Sequence, residues 1–274
     1  MMLWKRFKKD RSSLIGLSLV CMVVLMAVFA PLVAPYDPTE QDLSMRRKPP
    51  SLAHPFGFDP HGRDIFSRII VGARATLVSG VVCVLLAGVI GTSLGLVAGY
   101  FGGRISSVIM RGMDVVLAFP YFLLAILIVA AMGPGLKNAI IAVAVTNIPQ
   151  FTRVVCSTTM VLREKEFVEA SRAQGISTFR LLWDHILPNN LAPIIVLVTV
   201  GAASAIISTA ALSFIGLGAQ PPMPEWGLML SEGRPYITSA PHIIFFPGIF
   251  ILFLVLGLNL LGDGLRDILD PRLR

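Results

Sequence analysis

A chain of 274 residues that is 55% hydrophobic and only 14% charged, with mean hydropathy +0.77, falls well short of the roughly 25% charge of a soluble domain. Its net charge of +7 sits in bunches between long uncharged runs, the pattern of cytoplasmic flanks in a membrane protein rather than of a nucleic-acid surface. Cys21, Cys83 and Cys156 lie in or beside apolar runs without CxxC or paired spacing, which implies neither a disulfide framework nor a metal site.

In chain order, Lys5, Arg6, Lys8, Lys9 and Arg11 precede an uncharged run at 12–36, long enough for a transmembrane helix of roughly 20 residues. The run exceeds a signal-peptide apolar region, and Pro31 and Pro35 replace a small-residue cleavage site. An uncleaved first helix is therefore expected. The segment 37–74 carries Pro38, Pro49, Pro50, Pro55 and Pro60 and reads as extended, turn-rich chain. At its end, 62–72 reads as a short amphipathic helix at the membrane interface or against the bundle, with Ile65, Phe66, Ile69 and Ile70 on one side and Arg63, Ser67 and Arg68 elsewhere.

A second span is expected at 75–103, where Gly91, Gly95 and Gly99 recur every four residues and Gly88 precedes them by three. Small residues at that spacing let another helix approach closely, in this chain or in a partner. A third span is expected at 115–136, bent by Pro120, with Asp114 at its end in an interfacial ion pair with Arg111. A fourth, 138–151, is short unless it extends past Arg153, which would snorkel from the helix end. A fifth covers about 192–212 and a sixth 235–262. Ser204, Ser208 and Thr209 on the fifth are pathway candidates that fit helix packing better. The Gly- and Pro-rich stretch 216–226 fits either an outer loop near a substrate entrance or a structural turn.

Between the fourth and fifth spans, 163–174 is rich in strong helix formers. Gly175 follows where a helix favours a left-handed residue. Ser177 is placed to cap a second short helix, which Pro188 prevents from continuing unkinked. On that helix Phe179, Leu182, Trp183 and Ile186 form an apolar side, with Arg180 and Asp184 facing away. A docking element and an ordinary helical hairpin fit this pattern equally.

With the N-terminus inside, the inner segments carry fifteen Lys and Arg, against two, Lys137 and Arg234, on the short outer loops. Both termini and the segment 153–188 are thus expected in the cytoplasm. The spans hold no ionisable side chain of the kind that gradient-driven carriers use. The chain has no G-x-x-x-x-G-K-[ST] phosphate loop, no H-E-x-x-H and no G-x-S-x-G, and His54, His61, His185 and His242 are scattered. An enzyme is disfavoured, and energy for uphill transport must enter from a partner.

The residues E-A-S-R-A-Q-G at 169–175, nine more, His185, and Ile186-Leu187-Pro188 resemble the EAA loop of bacterial ABC importer permeases. That loop reads E-A-A, three residues, G, nine residues, I, any residue, L-P. Ser171 stands for its second alanine and His185 for its isoleucine, with Ile186 next door. The stretches F-G-F-D-P-H-G-R-D-I-F-S-R-I-I-V-G-A-R (56–74), M-R-G-M-D-V-V-L-A-F-P (110–120), A-L-S-F-I-G-L-G-A-Q-P-P-M-P-E-W-G (211–227) and N-L-L-G-D-G-L-R-D-I-L-D-P-R-L (259–273) are similar to the "C" permeases of dipeptide, oligopeptide and nickel importers. Gly57-Phe58-Asp59 departs from the usual G-T-D.

The resemblance implies an all-α integral membrane protein of about six transmembrane helices, a type I importer (MetI-like) bundle with a cytoplasmic EAA loop. Residues 1–72 would hold the first helix, the extracytoplasmic segment and the amphipathic helix, and 73–274 the permease core with its coupling loop at about 153–190. It implies half of a translocation pathway for di- or oligopeptides, with nickel or metal-chelator complexes as the alternative cargo. A self-contained carrier or channel is the reading from another class. The implied partners are a homologous second permease, two ATPase subunits and an extracytoplasmic binding protein, in the bacterial inner membrane. This chain would bind no cofactor, ATP and Mg2+ belonging to the ATPases. The implied coupling residues are Glu169, Ala170, Ser171, Gly175, Ile176, Ile186, Leu187 and Pro188.

Overall fold

The computed structural model describes residues 10–269; Lys5, Arg6, Lys8 and Lys9, and residues 270–274 with Arg272 and Arg274, lie outside the described residues. The described chain is α-helical, with nine helices of eight residues or more: α1 (Arg11–Val28), α2 (Ile65–Phe101), α3 (Gly103–Leu117), α4 (Tyr121–Met132), α5 (Leu136–Arg163), α6 (Glu166–Ala173), α7 (Thr178–Phe214), α8 (Trp226–Gly233) and α9 (His242–Leu269); single helical turns stand at Ala30–Val33, Leu43–Met45 and Arg234–Tyr236. Five of them, α1, α2, α5, α7 and α9, are long and apolar enough to cross a bilayer, and α3 with α4 adds a sixth if the bent pair is one span.

In that pair the bend expected at Pro120 of the third span, 115–136, is a sharp corner between two separate helices. The helices meet at 88° across Ala118–Pro120. Proline supplies no N–H and disfavours helical geometry in the residue before it, so the chain turns there. The 12 residues of α4 reach only about 18 Å, short of the roughly 30 Å hydrocarbon core. The fourth span, by contrast, extends past Arg153 to Arg163.

The helix expected at 62–72 is not a separate element. It forms the first turns of α2, a helix of 37 residues, so the boundary expected at residue 72 falls inside it. Asp64 caps its start, accepting from the Ser67 amide at 2.7 Å and from His54 Nδ1 at 2.9 Å. Arg63, Ser67 and Arg68, expected away from the apolar side, are instead fully buried. Their charge is neutralised on the spot: Arg63 donates to Asp59 at 2.5 Å and to Glu232 at 2.7 Å, and Arg68 lies 3.3 Å from Glu232 and 3.5 Å from Asp59. Two guanidiniums against two carboxylates make burial tolerable where one alone would not be. This cluster pins the strap 37–64 to α2 and α8.

The glycine ladder finds its partner within the chain. A Cβ on Gly91, Gly95 or Gly99 would fall 2.6–2.9 Å from atoms of Ile148, Phe151, Thr152, Val155, Cys156 or Thr159, all on α5. The bare backbone of α2 therefore lies directly against α5, and around it pack Cys83, Ala87, Ala142, Val143 and Phe151. A second apolar layer joins α1, the start of α2, α8 and α9 around Val23, Ile69, Trp226 and Leu254. Arg74 crosses from α2 to donate to the carbonyls of Ala27 and Val28, which end α1 without helical partners. At the other end of α1, Asp10 accepts from the hydroxyls and amides of Ser13 and Ser12, which pull its pKa down to about 2.

Candidate functional site

The charged stretch after α5 folds as two short helices meeting at Gly175. Helix α6 ends in a Schellman turn: the Ile176 amide donates to the Ser171 carbonyl at 3.2 Å and the Gly175 amide to Arg172 at 2.9 Å. Gly175 adopts φ +76°, and a Cβ there would meet nothing within 4 Å. Only the left-handed backbone, and not lack of space, demands glycine.

Beneath the corner, Val168, Leu181 and Ile186 are fully buried against Leu96 of α2 and Val155 of α5, with Ile176 and Leu187 partly buried beside them. Arg163 donates to the carbonyls of Gly99 and Tyr100, and Arg172 stacks on Tyr100, its Nε 3.3 Å from the phenol oxygen. The corner is thus seated on the ends of α2 and α5. Glu169, Ala170, Gly175 and Pro188 are exposed, and Ser171 turns inward to donate to the Phe167 carbonyl. All eight motif positions therefore belong to this one corner, some forming its outer face and some its footing.

The expected apolar side of the second helix splits in two. Leu181 and Ile186 face inward, whereas Phe179 is 77% and Trp183 61% exposed, their rings nearly parallel at 6.4 Å. Leu182 lies between the two sets, and the exposed Arg180 and Asp184 pair at 3.2 Å. Pro188 does not end the helix. Residues Leu182–Ile186 widen into a π-helical stretch in which the Leu187 amide reaches back to Leu182. That widening accommodates the proline ring, which would otherwise press on the carbonyl of residue 184. The side-chain amides of Asn189 and Asn190 donate to the carbonyls of His185 and Ile186. As a result α7 runs unbroken from the corner to Phe214.

Other expected sites divide clearly. Asp114 pairs with Arg153 at 2.6 Å, not with Arg111, because α3 folds back along α5. Thr209 shares a buried hydrogen bond with Ser79, and Ser208 with Tyr121, which makes both helix-packing hydroxyls; Ser204 is exposed. The stretch 216–226 ends in the core. Trp226 is fully buried and donates to the Ile69 carbonyl at 3.0 Å, while Glu225 caps α8 through the amides of Gly227 and Leu228. Burial pushes the Glu225 carboxyl up, against those hydrogen bonds. Sequence reading missed the Asp59–Arg63–Arg68–Glu232 cluster. Its signal was the R-D-I-F-S-R run, whose charges interrupt an otherwise apolar helix start.

Two family descriptions match the chain: "Binding-protein-dependent transport system inner membrane component" over residues 91–274 and "N-terminal TM domain of oligopeptide transport permease C" over 2–50. The dipeptide transport system permease protein DppC of Alkalihalophilus pseudofirmus is 51% identical over 99% of this chain and 89% of its own length. DppC of Haemophilus influenzae is 44% identical over 99% and 94%. The glutathione transport system permease protein GsiD of Escherichia coli O6:K15:H31 is 47% identical over 99% and 90%. Among solved structures, an inward-facing MetNI methionine ABC transporter chain matches with TM-score 0.58 at 19% identity, over 75% of this chain and 98% of that one, a likeness of fold.

Proposed function

This chain belongs to the family of binding-protein-dependent transport system inner membrane components, and on that premise we propose that the corner at Gly175 is where it receives the energy for uptake. It is an ABC importer permease subunit of the dipeptide and glutathione family. The finer reading assigns it half of a pathway for short peptides, with both termini and the corner in the cytoplasm. A homologous permease supplies the other half, two ATPase subunits hold ATP and Mg2+, and an extracytoplasmic binding protein delivers cargo.

One observation carries the coupling assignment: a tightly seated corner presents a large, unpartnered aromatic pair, Phe179 and Trp183, beside the left-handed turn. Inserting those rings into a partner's groove removes on the order of 250 Å² of apolar surface from water, gross about 6 kcal/mol. Ordering at the interface consumes much of that. Closure of the ATPase pair then moves the seated corner, and with it α2, α5 and α7, as one body.

The test is a matched pair of substitutions in the reconstituted transporter. Gly175→Asn keeps a residue that tolerates φ > 0 and retains uptake; Gly175→Val does not, and loses uptake at least tenfold while ATP hydrolysis persists. Normal uptake with Gly175→Val overturns the assignment.

A further inference from the structure

A groove of about 620 Å³ opens along α7 between α5 and α9, next to the corner. Its floor is the α7 face that starts at Asn189, directly after Pro188, and continues through Val196 to Val200; Thr158 of α5 and Arg266 and Leu269 of α9 complete its sides. Among the ten residues that line it, Arg266 alone is charged, Asn189 and Thr158 can hydrogen-bond, and the rest are apolar. Asp263 and Asp267, on the same helix as Arg266, are not among its walls. The size lies within the 300–1,000 Å³ of small-molecule sites.

We infer that this groove is the exit station for cargo, holding a short peptide by its free C-terminal carboxylate at Arg266. The inference rests on the importer reading above and adds to it a site and a chemical determinant. The relatives handle dipeptides and glutathione, which differ in length and linkage but share an α-carboxylate on a small, partly apolar frame. A guanidinium at the rim of an apolar trough matches that combination, taking the carboxylate in a two-point hydrogen-bonded pair. The Asn189 side-chain oxygen, its nitrogen already given to the His185 carbonyl, matches a peptide N–H, and the aliphatic walls match side chains of any shape. Such a site is permissive in side chain and strict in carboxylate. Its floor belongs to the helix that begins at the coupling corner, so displacement of the corner shifts the floor against the walls on α5 and α9 and releases what the groove holds.

The experiment uses the complete nucleotide-free transporter in detergent, without binding protein, and a photoreactive benzophenone dipeptide with either a free carboxylate or a C-terminal amide. The free carboxylate labels residues 189–200 at least fivefold more than the amide. Arg266→Gln abolishes the difference, and Arg266→Lys retains it. In proteoliposomes with binding protein, Arg266→Gln lowers peptide uptake at least tenfold in complexes that elute as intact assemblies. Equal labelling by acid and amide, a preference that survives Arg266→Gln, or a label found on lipid or on the second permease alone overturns the groove assignment. If the unsubstituted transporter imports no peptide, the importer reading itself fails, and that outcome is distinct from the others.

Discussion

Alanine at Gly95 tests the packing on which the bundle depends. A Cβ there would lie 2.8 Å from both the Thr152 carbonyl oxygen and Val155 Cβ. Neither is the free end of a flexible side chain, so α2 and α5 must separate by several tenths of an ångström along their shared length. Overpacking of this kind costs about 1–3 kcal/mol, offset by about 0.5–1 kcal/mol from the better helix propensity of alanine. Gly88 lies on the same helix, but a Cβ there meets only the Phe151 ring, at 3.4 Å or more, so the propensity gain is unopposed. Gly88→Ala is thus neutral or stabilising and Gly95→Ala destabilising, about 2 kcal/mol apart, measured by reversible unfolding of the purified permease in mixed micelles. Equal effects, or Gly88→Ala the worse of the two, would refute the close approach of the two backbones.

Replacing Phe179 and Trp183 by alanine leaves stability within about 0.5 kcal/mol, since both are exposed, but weakens capture of the ATPase subunits at least tenfold, as read by co-purification. Glu232→Ala strips one of the two carboxylates from Arg63 and Arg68 and costs about 3–5 kcal/mol in unfolding; replacing all four cluster members with apolar residues of similar volume costs far less. Glu225 supplies a pH signature. Its raised pKa means the folded chain binds the proton more tightly than the unfolded one, so its contribution falls as pH rises above the ordinary carboxylate value of 4.5. Melting curves of Glu225→Gln are flatter over that range than those of the unsubstituted chain.

The long apolar helices were legible from the sequence because an uncharged run of some 20 residues has few alternatives in a bilayer. The Gly175 turn was legible too, since a polar helix ending in glycine specifies a local geometry that tertiary contacts need not supply. What escaped was set by distant partners. Pro120 announced a bend, but its angle depends on where α3 packs against α5. Arg63 and Arg68 read as a solvated face because the carboxylate of Glu232 is more than 160 positions away in sequence. Phe179 and Leu181 look alike as apolar residues, and only the orientation of the helix decides which becomes footing and which is presented outward.

Helix α7 spans 37 residues, about 55 Å, with no loop between the Gly175 turn and Phe214. Beyond Pro193 such an element behaves as a rod: a push arrives at the far end almost undiminished, and a few degrees of tilt become several ångströms of travel at the tip. Its compliance is concentrated where the π-helical stretch and Pro193 interrupt the regular hydrogen-bond ladder, close to the Gly175 end. If the proposed coupling holds, stiffening that joint changes how much of each stroke crosses the bilayer while leaving the machinery at either end untouched.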